Sequence, residues 1–158
     1  SNAVDFYMFK GKMPEGYGLT GPNGSSSPLN IVEFRNIESP DKIVDIEIDE
    51  GSAQEQFDKA AAKDKYTAGD DVKLGKYTWK TLNFTWNKQP SVVLYTDIAD
   101  GLYAEVTLYE TTLDDANIKA FLEGVEFATD YDAAHKAGMD TTVEKFAADN
   151  NLTLWEAK

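Results

Sequence analysis

The segment IVDIEIDEG, residues 43–51, sets Asp45, Glu47 and Asp49 at alternate positions and ends on a glycine. Carboxylates gathered in this way suit a hard cation such as calcium, which takes about six to eight oxygen ligands. An EF-hand loop, however, needs glycine at its sixth position and a bidentate glutamate at its twelfth. Counted from Asp45, those positions hold Glu50 and Gln56. The alternation of Val44, Ile46 and Ile48 with the acids is instead the period of a strand with one buried face. The acids are then expected on the solvated side.

A looser oxygen set is offered by the turn DIADG and the pair after it. Asp97, Asp100, Asp114 and Asp115 are the candidate ligands if calcium binds at all, and no other cofactor is expected. Each also has a structural explanation, because Asp-Gly makes turns and aspartate favours the first turn of a helix. Paired carboxylates serve glycoside hydrolases when they stand roughly 5–9.5 Å apart. With 28 acids among 158 residues, some pair at that spacing arises by chance.

Other chemistries lack their residues. His135 is the only histidine and there is no cysteine, so disulfides, thiol catalysis and a histidine or thiolate zinc site are ruled out. Residues 25–27 are three serines in a loop, and neither G-x-S-x-G nor G-x-x-x-x-G-K-[ST] occurs. AAHKAGMDTTVEKF mimics a helix-turn-helix, but residues 129–158 carry six acids against three lysines. A reading helix opened by Asp140 would press its charge against phosphates. The whole chain has 15 basic and 28 acidic residues, net −13, which argues against nucleic acid and anionic lipid surfaces as partners. No apolar run approaches the roughly 18 residues of a membrane span, so insertion in a membrane is not expected. Cations, basic protein partners and neutral small ligands stay compatible with this balance.

The aromatic residues offer a different surface. In the hairpin SVVLYTD–LYAEVTLYE, Val92, Leu94, Ala104, Val106 and Leu108 form one apolar set, while Val93, Tyr95, Tyr103, Thr107 and Tyr109 form the opposite one. An aromatic face left open marks a binding surface. Tyr95, Tyr103 and Tyr109 are therefore candidate contacts for a ligand or a protein partner, with Trp79 and Trp86 as candidates for stacking on a saccharide. The competing expectation is that the carboxy-terminal helices, through Tyr131, Val143, Phe146 and Trp155, cover this face. In YTWKTLNFTW, Tyr77 and Trp79 alternate away from Leu82, Phe84 and Trp86. Either both faces of that strand are buried or a bulge near Lys80-Thr81 switches them.

The elements that must position these residues follow the same local rules. Residues 11–30 hold five glycines and three prolines and read as a loop. LNIVEF and IVDIEID read as strands. Ser52-Ala-Gln-Glu55 is a capping box opening a helix over about 53–64, with Ala53, Phe57, Ala60 and Ala61 on one face. Residues 71–109 form an antiparallel meander turning at Gly75-Lys76, at residues 87–90 and at Asp100-Gly101. Thr112 to Asp115 caps a helix carrying Ile118, Phe121, Leu122 and Val125, and VEF at 125–127 reads as a last strand. Two helices, 131–137 and 142–149, follow with caps at Thr129 and Thr141.

This order, ending in DDANIKAFLEGVEF, resembles the PsbP-like fold over residues 30–127, most specifically over 92–127. The family includes an extrinsic photosystem subunit and many bacterial secreted or lipoprotein domains. The resemblance implies an α+β fold, an antiparallel meander sheet with helices on both faces (an α/β/α sandwich). It also implies a binding or accessory role without a known chemistry. No family functional residue matches a motif here.

Residues 4–158 are expected to form a single domain, with 129–158 an extra helical tail packing on the sheet. Residues 1–3 (SNA) read as a cleavage scar. Because VDFYMF lacks an initiator methionine, a secretion signal or lipid-anchor segment is expected to have been removed. That would put the protein outside the cell or at its surface. The expected function is a non-enzymatic binding or accessory module, with a saccharide hydrolase or a calcium-dependent binder as alternatives.

Overall fold

The structure is a computed structural model that describes residues 2–157; Ser1 of the expected scar and Lys158 of the tail lie outside the described residues. The chain is a mixed α+β fold with a large antiparallel sheet and four α-helices. The strands are β1 (Val4–Asp5), β2 (Phe9–Gly11), β3 (Tyr17–Thr20), β4 (Val32–Asn36), β5 (Ile43–Glu50), β6 (Thr67–Ala68), β7 (Val72–Leu74), β8 (Tyr77–Trp86), β9 (Gln89–Ala99), β10 (Leu102–Tyr109) and β11 (Glu126–Phe127). The helices are α1 (Ala53–Ala61), α2 (Ala116–Gly124), α3 (Tyr131–Met139) and α4 (Val143–Asp149). The main sheet is eight-stranded, in the order β3-β4-β5-β10-β9-β8-β6 with β7 paired to β8, and β1-β2-β11 form a small second sheet.

The meander forms where its turns were expected. Asn87 and Lys88 both have positive φ, 48° and 65°, the geometry of a primed two-residue turn that matches the strand twist. Ser52 Oγ accepts from the Glu55 N–H at 3.1 Å and starts α1. The other caps fall one or more residues later than the sequence suggested, on Asp115, Asp130 and Thr142, because each of these side chains accepts from a first-turn N–H.

The structure decides three of the remaining expectations. The glycine-rich stretch is only partly a loop, since β3 and a 3-10 turn (Pro22–Gly24) lie within it, and β1 and β2 precede it. VEF does form the last strand, β11, which pairs with β2 in the small sheet. No bulge occurs in β8 at Lys80-Thr81. Its register to β9 runs unbroken from Lys80 opposite Tyr95 to Trp86 opposite Gln89. Both faces of β8 are buried, and the irregularity lies in the β9–β10 ladder beside Leu102 and Tyr103.

Two apolar clusters result. The larger joins Val44, Ile46, Leu94, Ala104, Val106 and Leu108 of the sheet with Phe6, Phe9, Phe121 and Phe127. Val143, Phe146 and Ala147 of the tail belong to this cluster, with Phe146 5.4 Å from Phe6. The smaller joins Leu82, Phe84, Val93, Tyr95 and Tyr103 with Ala53, Phe57, Ala60 and Ala61 of α1. The tail helices therefore do not roof the tyrosines. α1 does so, because its apolar stripe follows directly on β5, while the amino-terminal phenylalanines give α4 its partners. No helix among the described residues is long and apolar enough to cross a membrane.

Candidate functional site

Beyond the reach of α1, the tyrosine-bearing side of the sheet continues over β4, β5 and the first half of β10, and there it is acidic. Register brings the acids together. Glu33 of β4 stands opposite Asp45, and Glu105 of β10 stands opposite Glu47. Asp45 and Glu47 alternate along β5, so the carboxyl pairs occupy adjoining rows of one face. Like charges directly opposite one another repel. The strain of these pairs falls on Asp45 and Glu47, whose carboxyls are raised.

Burial pushes the Asp45 carboxyl up to about 8, and contact with Glu33 adds to the effect. Burial likewise raises Glu47 to about 7, followed by its contact with Glu105. Glu33 is 3% exposed and receives the Arg35 Nε at 3.1 Å, with Arg35 itself 15% exposed. Asp45 Oδ1 is buried without a hydrogen-bond partner among the described residues. Raised carboxyls can exchange a proton for a cation, accept hydrogen bonds from an amine or guanidinium, or donate a proton.

The sequence-level candidates fall around this strip. Tyr95 and Tyr103 are 5% and 7% exposed beneath α1, and burial, then Glu105, raises both phenols. They are core residues whose hydroxyl ends border the acids. Tyr109 is half-buried, edge-on to Phe84 at 6.0 Å and to Trp86 at 5.2 Å. Trp86 is 45% exposed and stands at the rim. Trp79 is fully buried, 5.9 Å from Phe127, and has no surface to offer a saccharide. His135 stacks on Tyr131 at 5.6 Å, away from any nucleophile named above.

The candidate calcium ligands have structural partners. Asp97 Oδ1 accepts from the Ala53 N–H at 2.8 Å, joining β9 to the start of α1. Asp115 Oδ1 accepts from the Asn117 and Ile118 N–H groups as the cap of α2. Asp100 lies in the β9–β10 turn and Asp114 precedes that cap. Among the described residues no three His, Cys, Asp or Glu side chains are gathered so as to hold a metal ion.

Sequence reasoning singled out Asp45 and Glu47 but missed Glu33, Arg35 and Glu105. All three stand at face positions of strands it had identified. What it lacked was the strand order β4-β5-β10. Surface depressions of about 250 to 400 Å³ occur elsewhere, as between Asp70, Thr81, Asn83 and Asp114 and between Lys42, Glu110 and Asp115.

No family model matches the chain. No curated protein matches it either. Among solved structures, it is similar to a protein of Bacteroides thetaiotaomicron VPI-5482 determined at 1.50 Å, with 14% identity and a TM-score of 0.44. The match covers 78% of this chain and 46% of that one, so the chain spans less than half the length of this neighbour.

Proposed function

We propose that the chain is a non-enzymatic binding or accessory module, built as a PsbP-like α/β/α sandwich and working outside the cell or at its surface. Its partner is a protein or small ligand, without nucleic acid and without insertion in a membrane. The observation that supports this most is the half-buried acidic strip of Asp45, Glu47 and Glu105, rimmed by Tyr109 and Trp86 and not covered by α1. Carboxyls gathered beside aromatic rings suit a cationic segment, whose ammonium or guanidinium groups pair with the acids and lie on the rings.

A lysine-rich peptide titrated calorimetrically at pH 8 tests the reading. Glu47→Gln with Glu105→Gln should weaken binding about tenfold, a loss of roughly 1.4 kcal/mol. Exposed Glu38→Gln, on another surface, should not. Equal losses in both variants would mean a response to net charge alone, and the proposed site would be wrong.

One feature favours the hydrolase as the second reading: burial raises the Asp45 and Glu47 carboxyls to about 8 and about 7, in the direction a general acid needs. Turnover of chromogenic neutral or amino-sugar glycosides that disappears in Asp45→Asn would put this reading first.

A further inference from the structure

The side of the sheet turned away from Asp45 carries a concavity of its own. Register leads from Asp45 across Thr107 to Val93, whose side chain packs beneath α1. Val92 points the other way, into the larger cluster, and stands opposite Asn83 of β8. Alternation puts Thr81 on the same side as Asn83. The link from β6 to β7 is drawn tightly onto these two residues. A Cβ on Gly69 would stand 2.5 Å from Thr81 Oγ1 and 2.9 Å from Asn83 Nδ2, so glycine is required for this approach. The Gly69 N–H donates to the Thr81 carbonyl at 3.0 Å, and the Thr81 hydroxyl donates to the Asp70 carbonyl at 2.8 Å. These bonds hold Asp70 at the edge of the concavity. The turn entering α2 supplies another edge. There the Asp114 N–H donates to Thr112 Oγ1 at 3.2 Å, while Asp115 turns its carboxylate to the α2 cap.

The concavity measures about 260 Å³. Val72, Val92 and Leu113 line it with aliphatic carbon, and Asp70 and Asp114 are its exposed acids. Among the described residues neither of these carboxylates forms an ion pair. No basic side chain lines the concavity, and Lys42 stands beyond Asp114 in the adjoining depression. We propose that this concavity binds an alkylammonium group about the length of a lysine side chain. Its carbons lie on Val72, Val92 and Leu113, and its ammonium meets Asp70 and Asp114. The acids repel an anion, and a bare cation leaves the aliphatic floor wet. A quaternary ammonium calls for aromatic walls, and no aromatic side chain lines this place. The site lies across the sheet from Glu47 and Glu105 and does not depend on what they bind.

Amide NMR of the full chain, titrated at fixed ionic strength with pentylammonium, ethylammonium and pentanol, tests this. Pentylammonium should saturate with a dissociation constant of about 10 mM or tighter, the range open to so small a ligand. The shifts should centre on Asp70, Thr81, Val92 and Leu113. Ethylammonium, with its shorter chain, should bind about tenfold more weakly. Pentanol, which cannot pair with the acids, should also bind more weakly. Asp70→Asn with Asp114→Asn should weaken pentylammonium about fivefold and leave pentanol unchanged. Glu38→Gln with Glu123→Gln, exposed acids elsewhere, should change neither. N-acetyl-lysine methylamide distinguishes the two sources of the group. Binding as tight as that of pentylammonium assigns a protein's lysine, and weaker binding a free alkylamine. Failure to saturate, equal binding of ethylammonium and pentylammonium, or shifts centred on Glu47 and Glu105 overturns the proposal. So does an equal loss in the Glu38, Glu123 variant. The ligand series needs no substitution, so it decides the matter even if the Asp70, Asp114 variant fails to fold.

Discussion

Replacing Asp45 by asparagine should make the protein more stable than wild type at alkaline pH and change it little at acid pH. Asparagine keeps the shape and can donate its amide N–H to Glu33, but it never ionises. In the wild type, burial and Glu33 raise the folded carboxyl from 3.8 to about 8. A carboxyl raised on folding adds stability that is complete below its unfolded value and is lost as pH climbs to its folded value. At about 1.4 kcal/mol per pH unit, the rise from pH 5 to pH 8 removes up to about 4 kcal/mol, and about 2–4 kcal/mol is expected for a carboxyl that water still reaches in part. This is a large share of the roughly 5–15 kcal/mol that holds an ordinary domain together. Urea unfolding at pH 5, 7 and 9 measures it, with the wild-type and Asp45→Asn curves subtracted at each pH so that the other carboxyls cancel. A difference that stays constant with pH, or that grows in favour of the wild type on the alkaline side, would refute the raised Asp45 carboxyl.

Tyr103→Ala should lower stability by about 3–4 kcal/mol in denaturant, as expected for a large side chain lost from beneath α1. Its effect on peptide binding should be no greater than its effect on the folded fraction. Ser52→Ala removes the acceptor of the Glu55 N–H and should cost about 1 kcal/mol, read from the thermal midpoint. A melt in EDTA and then in millimolar calcium, at matched ionic strength, should shift no further than the magnesium control, given that Asp97 and Asp115 already serve α1 and α2. A calcium-specific rise of roughly 5–10 °C would instead mean a site filled to about 100 times its dissociation constant.

The elements most readable in the sequence were those governed by neighbours a few residues away. The alternation in β5 separates Val44, Ile46 and Ile48 from Asp45, Glu47 and Asp49, and that division appears in the fold. Ser52 and Glu55 sit within one helical turn, so the cap of α1 was legible. The opposite facing of Val92 and Leu94 against Val93 and Tyr95 follows from the pleat alone. By contrast, β1, β2 and β3 have only two to four residues each, amid glycine and proline, and no period can be counted over so short a span. They form because β11, β4 and residues 153–155 supply partners from far along the chain.

The candidate site divides in the same way. That Asp45 and Glu47 share a strand face was determined by spacing. That Glu33 and Glu105 stand opposite them, that Arg35 joins the first pair, and that Trp155 packs on Arg35 were decided only by strand order and register. Tertiary structure also reassigned the tyrosines, since α1 and not the tail covers them. Period and capping act through bonds and clashes within about two turns of chain, whereas cross-strand neighbours depend on which apolar faces must be buried together. The acids were carried to one another by the burial of valines, isoleucines and leucines on the other side of the same strands.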